Sequence, residues 1–275
     1  MKPFSFFVST LSLISLLSGC YQVPVTGRKA MDIVDEKEVT KMSIAAFNDL
    51  KAHHPRSRDR ERIDQLNRVG ERIAKVVFWD MPDADWEFIV FDEPKQINAF
   101  AMAGGKVGVF SGLFKIIEND DQLASVIAHE IAHVTAKHVH EKLSREMAVN
   151  TVGAVGSIGA GVTTGILGSL AVQEAYGASV GSPGREAAFD RKKEKEADYI
   201  GLMYMARAGF NPEESVKVLE NLEASQGPQA RAAEATFLSN HPPNPERIQQ
   251  LLDSMPKALE LYRESGKTLT PTLVK

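Results

Sequence analysis

The sequence has almost no cysteine, few aromatic residues and no large excess of charge of either sign. Its 275 residues include one Cys and 7% aromatics, with 32 Lys and Arg against 36 Asp and Glu. A single thiol excludes an internal disulfide, so stability must come from an apolar core and, where one binds, a metal ion. A formal net charge of -4 provides no general basic field, which argues against a nucleic-acid partner.

The first twenty residues, MKPFSFFVSTLSLISLLSGC, have one basic residue, an apolar run and small residues before Cys20. This order is typical of an export signal, and the apolar run is shorter than the ~20 residues that cross a bilayer. The L-S-G-C sequence at 17–20 resembles the bacterial lipobox. We therefore predict that 1–19 is a cleaved lipoprotein signal and that Cys20 is lipidated. A plain secretory signal and an N-terminal membrane anchor are the alternatives.

The remaining chain divides into a tether, one domain and a tail. Residues 20–35 contain Pro24 and Gly27 and little periodicity, which favours a lipidated tether. Apolar residues then recur at helical spacing, and 36–263 is long enough to form one catalytic domain with its own core. The last residues, 264–275, are predicted to be a flexible tail.

Two β-rich runs interrupt the helical pattern. They cover residues 86–91 and 106–110, with Gly104-Gly105 as a turn signal between them. We predict a small antiparallel sheet, followed by a long helix that begins at Asn119 and continues to about residue 148. The fold class is therefore α+β and predominantly α.

His129-Glu130-Ile131-Ala132-His133 forms an H-E-x-x-H motif within that long helix. Positions four apart lie within about 40° of each other and one turn along, so both imidazoles can bind one ion. Glu130 then lies beside the metal with room for a water molecule, as a general base requires. The alternative is a chance glutamate between two histidines on one helix face.

Two further histidines, His138 and His140, are excluded as ligands of the same ion. On a continuous helix His140 lies about 10 Å beyond His133, and His138 points to another face. We predict that both are core or surface histidines.

A catalytic zinc needs a third protein ligand and an open position for water. In the segment RKKEKEAD, Glu194 and Asp198 share a helix face, so one can bind the metal while the other accepts the N–H of a ligand histidine. Glu196 projects to the opposite side. In isolation the segment could also be a solvated charge run.

Residues 151–172 carry no charge over a length that could cross a membrane, and they contain six glycines. Glycine disfavours a helix, and a single crossing would separate His133 from Glu194 across a bilayer. We predict that 151–186 is a Gly-rich lid or a membrane-apposed segment.

Several motifs together resemble the membrane-associated gluzincins, the zinc metallopeptidase family that includes HtpX, the CAAX prenyl proteases and exported bacterial forms such as BepA and LoiP. The exported lipoprotein forms resemble the sequence most. The matching segments span most of the mature chain: PVTGR at 24–28, NAFAMAGGKVGVFSGL at 98–113, HEIAH at 129–133, RKKEKEAD at 191–198 and SNHPPNPERI at 239–248.

The resemblance implies a zincin-like fold, with the small sheet flanking the H-E-x-x-H helix and one Zn²⁺ per chain. It implies that His129, His133 and Glu194 are the ligands. It also makes Glu130 the general base and Asp198 the residue that orients a zinc-bound histidine. His241 would lie near the metal, where it either steadies the transition state or occupies the open position. A simple helix-start histidine is the alternative.

The resemblance also suggests how a substrate binds. Strand 106–110 is predicted to present an open edge to an extended polypeptide. The residues assigned to this substrate-binding strand are Asn98, Gly105, Lys106, Val107, Gly108 and Val109.

The predicted function is a zinc endopeptidase that cleaves unfolded or misassembled proteins of the bacterial envelope. Because Tyr21 is not the aspartate that retains lipoproteins at the inner membrane, we expect a lipid anchor in the outer membrane, facing the periplasm. Outer-membrane assembly machinery is a possible partner. Two alternatives are an envelope chaperone with a mainly structural zinc and a membrane-embedded peptidase that spans through 151–172.

Overall fold

The computed structural model describes residues 20–153, 191–225, 241 and 245–268, of which 146–153 and 267–268 are described by their backbone alone. The predicted signal and most of the Gly-rich segment lie outside the described residues. Among those that are described, no helix combines the length and apolarity needed to cross a bilayer.

The chain begins with a folded hairpin. Strands β1 (Cys20–Gln22) and β2 (Lys29–Met31) pair antiparallel, and Gly27 adopts a φ of 69° in the turn between them. Val23 and Ala30 are buried in the main core, which fixes the hairpin to the domain. The range predicted as a tether therefore contains an element that packs against the domain.

Two helices follow, where the sequence has apolar residues at helical spacing. Helix α1 (Glu36–His53) begins at Asp35, and helix α2 (Arg60–Val76) begins at Asp59; both aspartates accept backbone N–H groups of the first turn. The apolar face of α2 buries Leu66, Val69 and Ile73.

Strands β3 (Glu87–Phe91), β4 (Ala99–Met102) and β5 (Lys106–Phe110) form one sheet in the order β3-β5-β4. The α+β, predominantly α fold class is confirmed, but the expected strand directions need correction. β3 is parallel to β5, and only β4 is antiparallel to it. Gly104 and Gly105, with φ of 82° and 79°, form the turn between β4 and β5. They are therefore not a turn that directly connects the two β-rich runs identified in the sequence.

The core lies between this sheet and α1. Four aromatic rings meet there with centroids 5.5–6.4 Å apart, and all four are fully buried. They are Phe47, Phe91, Phe100 and Phe110. This cluster fixes the sheet against which the next helix packs.

The long helix predicted from Asn119 is interrupted. Helix α3 (Asp120–Thr135) begins at Asn119 as expected, but it ends at Thr135, and a new helix α4 (His138–Gly153) starts three residues later. Lys137 adopts a φ of 54°, and its Nζ lies 2.7 Å from Asp32 and 2.9 Å from Glu36. Tertiary ion pairs thus hold a left-handed residue where the local pattern is helical.

The second half consists of helices. Helix α5 (Arg191–Arg207) ends before Gly209, helix α6 (Glu214–Ala224) follows, and helix α7 (Pro245–Thr268) extends beyond residue 263 into the range predicted as a tail. Helix α5 packs between α3 and α7. At Gly201 the backbones of α5 and α3 approach so closely that a Cβ would lie 2.9 Å from His129 N.

Candidate metal centre

Four side chains from three parts of the chain meet between α3 and α5. His129 and His133 lie one turn apart on α3, Glu194 lies in the first turn of α5, and His241 precedes α7. His129 Nε2 lies 3.1 Å from both His133 Nε2 and His241 Nδ1, and His133 Nε2 lies 3.0 Å from Glu194 Oε1. The potential ligand atoms of the four residues all lie within 4.8 Å of one another.

This donor set fits zinc. Three imidazole nitrogens and one carboxylate oxygen are ordinary zinc ligands, and with bonds of ~2.0–2.1 Å their atoms would lie roughly 3.3 Å apart in a tetrahedron. Glu194 Oε1 is buried and makes no hydrogen bond within the described part of the chain. A carboxylate oxygen left in this way costs free energy unless a cation compensates it.

Asp198 lies directly behind His129. Its Oδ1 is 2.9 Å from His129 Nδ1, which leaves Nε2 directed at the centre. Burial alone would raise the pKa of Asp198, but Arg247 and His129 lower it below its ordinary value. An ionised Asp198 at this distance can fix the tautomer of the ligand, which is the role that the sequence analysis predicts for it.

Arg247 is a member of the site that the sequence interpretation missed. Its guanidinium donates two hydrogen bonds of 2.7 Å to Asp198 and lies 3.2 Å from Glu194 Oε2, and its side chain is 2% exposed. It also donates to the carbonyl of His241 at 3.0 Å. The available signal was its place in the first turn of the helix that begins at Pro245, inside the quoted N-P-E-R-I motif.

Glu130 faces the same space from α3. It is buried, its Oε1 lies 3.4 Å from His241 Nε2, and that oxygen makes no hydrogen bond to any described residue. Burial raises the pKa of Glu130 to about 8, and a bound divalent cation would lower it again. The side chain is thus placed to exchange a proton near neutral pH.

His241 lies at the centre itself. Its Nδ1 is 3.1 Å from Glu194 Oε2 and from His129 Nε2, which is the position of a fourth ligand. Burial lowers the pKa of His241 to about 4, so its imidazole is neutral and can bind a metal.

His138 and Glu196 are closer to the centre than the sequence interpretation allowed. His138 is not among the converging ligands, but its Nδ1 lies 2.9 Å from Nδ1 of His133, and its Nε2 lies 3.1 Å from Glu196 Oε2. His140 makes no such contact with the described site residues; it lies two residues further along α4, which turns its side chain about 200° away from that of His138.

The prediction that strand 106–110 is an open edge is wrong. β5 lies between β3 and β4, and all five of its residues are buried. Lys106 is bonded to Asp85, and Gly105 belongs to the β4–β5 turn. The edge strand beside α3 is β4, and Asn98 immediately before it accepts the N–H of Ala99 at 2.9 Å.

Comparison with known proteins agrees with this geometry. Residues 30–255 match the model of Peptidase family M48. The mitochondrial metalloendopeptidase OMA1 of Saccharomyces cerevisiae is 38% identical over 187 residues, which are 66% of this chain and 50% of that protein. Its counterpart in Schizosaccharomyces pombe is 31% identical over 253 residues, which are 89% of this chain and 68% of that protein.

A bacterial relative matches a shorter part. The β-barrel assembly-enhancing protease of Escherichia coli is 39% identical over 130 residues, which are 46% of this chain and 26% of that protein. The chain thus spans about half of the length of the Saccharomyces protein and about a quarter of the Escherichia one. The family match covers most of the sequence and includes every residue of the centre, so the chain belongs to peptidase family M48, the zinc metallopeptidases.

Proposed function

We propose that this chain is a zinc-dependent endopeptidase of the bacterial cell envelope that cleaves unfolded or misassembled proteins. The observation that carries the proposal is the position of Glu130. A buried carboxylate whose Oε1 makes no hydrogen bond to a described residue and lies 3.4 Å from His241 Nε2 at the zinc centre fits a general base, and a zinc that only stabilises the fold has no need for one.

The chemistry follows from the residues around the metal. When bound, zinc would lower the pKa of a water molecule to ~7 and polarise the substrate carbonyl. Glu130 accepts the proton of the attacking water through Oε1 and returns it to the departing amine. Asp198 and Arg247 keep His129 and Glu194 in place, so that Glu130 meets the reacting atoms in a fixed geometry.

His241 gives the centre a resting form in this proposal. Its Nδ1 occupies the place that a catalytic zinc keeps open for water, so substrate hydrolysis requires the ring to move away. We expect His241→Ala to raise the rate of hydrolysis with zinc content unchanged. A loss on the order of 10²-fold would instead assign it the oxyanion role. Unchanged kinetics and zinc affinity would reject both roles.

The substrate is expected to extend along β4. Asn98 O accepts from Phe110 N at 3.0 Å, so the antiparallel pattern directs the peptide groups of Phe100 and Met102 toward β5 and those of Ala101 to the other side. An extended polypeptide can pair with that side through backbone hydrogen bonds, which favours unfolded chains over any one sequence. All four β4 residues are buried, so binding also requires the cleft to open.

The location rests on the N-terminal sequence. Cys20 is exposed at the start of β1, where a lipid can be attached, and residues 1–19 have the order of an export signal. We propose anchoring in the outer membrane on the periplasmic side. The name of the Escherichia relative refers to β-barrel assembly, and we propose outer-membrane assembly machinery as the corresponding partner of this chain. Fractionation of the wild type with the inner membrane would contradict this.

The activity is tested with Glu130→Gln. Gln keeps the shape of the side chain but cannot take the proton, so we expect full zinc content and a loss of 10²-fold or more in cleavage of an unfolded protein. Glu214→Gln, which changes a buried glutamate outside the centre, is the matched control and should keep its activity. Wild-type rates in Glu130→Gln would refute the mechanism.

A second candidate function is an envelope chaperone with a structural zinc. The observation in its favour is His241, because four converging protein side chains are typical of closed structural sites. In that case Glu130→Gln should leave suppression of aggregation intact, and His241→Ala should lower the zinc content because it removes a structural ligand. Neither wild type nor variants should cleave the substrate.

A further inference from the structure

A continuous series of side-chain contacts connects the zinc ligand His133 to the N-terminal hairpin. His133 Nδ1 lies 2.9 Å from His138 Nδ1, and His138 Nε2 lies 3.1 Å from Glu196 Oε2. Glu196 in turn accepts from Thr26 Oγ1 and from Arg28 Nε, both at 2.7 Å. These contacts join α3, α4, α5 and the β1–β2 turn.

A bound metal would fix which partner donates in each hydrogen bond of this series. His133 uses the lone pair of Nε2 for zinc, so a neutral ring must carry its proton on Nδ1 and donate it to His138 Nδ1. His138 must then carry its own proton on Nε2 and donate it to Glu196. The carboxylate of Glu196 ends the series as the acceptor of three hydrogen bonds, so every donor in the series has an acceptor.

The environment holds these residues in position. His138 and Glu196 are both largely buried, with side chains 4% and 9% exposed. The rings of His133 and His138 pack edge to face with centroids 4.8 Å apart. The left-handed residue Lys137 makes the arrangement possible, because it ends α3 and turns the first residue of α4 back toward His133.

We propose that His138 and Glu196 are positioning residues for the zinc ligand His133, and that Thr26 and Arg28 make the N-terminal hairpin part of the metal centre. His133 is thereby oriented through a histidine and a carboxylate in series. The inference rests on the zinc centre of the proposed function but not on cleavage of any substrate.

The test measures Zn²⁺ affinity by competition with a chromophoric chelator and the visible spectrum of the Co²⁺-substituted protein. His138→Ala should bind Zn²⁺ about 10- to 100-fold more weakly and shift the Co²⁺ spectrum, because His133 loses its orienting acceptor. His140→Ala is the matched control: it removes a histidine of similar burial on the same helix and should change neither reading. Equal affinities of the two variants would overturn the proposal.

A conservative variant separates orientation from packing. The side-chain oxygen of Asn can take the place of Nδ1, so His138→Asn should recover most of the affinity lost in His138→Ala. If His138→Ala does not fold, the test compares Glu196→Ala with Glu141→Ala. Glu141 is the matched control, because it also contacts Arg28 but is not bonded to His138. Only Glu196→Ala should weaken Zn²⁺ binding, and the same affinity in both would overturn the proposal. A protein whose variants give these zinc affinities but which cleaves no substrate would refute the proposed endopeptidase function. The positioning role of His138 and Glu196 would still stand.

Discussion

The two ligand histidines of α3 share one helix face and one metal, yet the rest of the chain supports them differently. His129 Nδ1 meets the carboxylate of Asp198 directly, and the buried Arg247 holds that carboxylate. His133 Nδ1 meets His138, then Glu196, and the series ends at Arg28, whose side chain is 35% exposed. The support of His129 is short and buried, whereas the support of His133 is longer and reaches the surface. Their contributions to stability and metal binding should therefore differ.

The largest difference is expected between the two arginines. Arg247→Met should lower the free energy of unfolding by about 3–5 kcal/mol, because it leaves the carboxylates of Asp198 and Glu194 buried without their partner. Urea unfolding of the zinc-loaded protein measures this loss. Arg28→Met is the matched control, and its partly exposed ion pairs should contribute only about 0–1 kcal/mol. Equal losses in the two variants would remove the distinction between the supports.

Zinc affinity should distinguish the supports next. Asp198→Ala removes the carboxylate that lies 2.9 Å from His129 Nδ1, and we expect Zn²⁺ to bind about 10- to 100-fold more weakly. Competition with a chelator measures the change. Asp121→Ala serves as the control, because Asp121 lies in the first turn of α3, the helix that carries His129, but accepts from Asn211 N. An unchanged affinity in Asp198→Ala would mean that the metal alone orients His129.

Removing the metal tests whether the centre stabilises the fold. With free Zn²⁺ at 100 times its dissociation constant, binding to the folded state adds about 2.7 kcal/mol. Chelation should therefore lower the melting temperature of the wild type. The decrease should be smaller in Asp198→Ala, which binds less zinc at the same concentration. Equal decreases in both proteins would show that Asp198 does not act through the metal.

The smallest effect is expected at the surface. Lys195 and Glu246 form an ion pair of 2.7 Å between α5 and α7, with side chains 33% and 64% exposed. Lys195→Met should change the free energy of unfolding far less than Arg247→Met, and added salt should reduce the difference further. A loss comparable to that of Arg247→Met would show that bridging these two helices, rather than burial, determines the contribution.

The sequence predicts the centre better than its supports. The spacing of H-E-x-x-H and of Glu194 and Asp198 depends only on helix geometry, so five residues of the site follow from local pattern. His138 does not, because the projection assumed a continuous helix, whereas α3 ends at Thr135, three residues before His138, where Lys137 is held by its ion pairs. Contacts distant in sequence decided that break, and no local signal encodes them.

The order of the strands in the sheet also depends on contacts distant in sequence. The pattern identified two β-rich runs but not their neighbours, because strand order depends on which edges meet in the folded chain. The short strand β4 separates them in sequence and lies at the edge in space, so β5 became central and could not bind substrate. Arg247 was missed for a related reason, since its partners lie on α5, 49 residues away.

The close approach at Gly201 bears on which ion the centre can hold. Main-chain atoms of α5 and α3 meet there, and even a methyl group would come within 2.9 Å of His129 N and 3.0 Å of Ala128 C. The two helices that carry the ligands are therefore set at a fixed separation that side chains do not determine. Such a centre discriminates by ionic size: bonds of ~2.0–2.1 Å suit Zn²⁺, whereas the ~2.3–2.6 Å bonds of Ca²⁺ would require the helices to move apart.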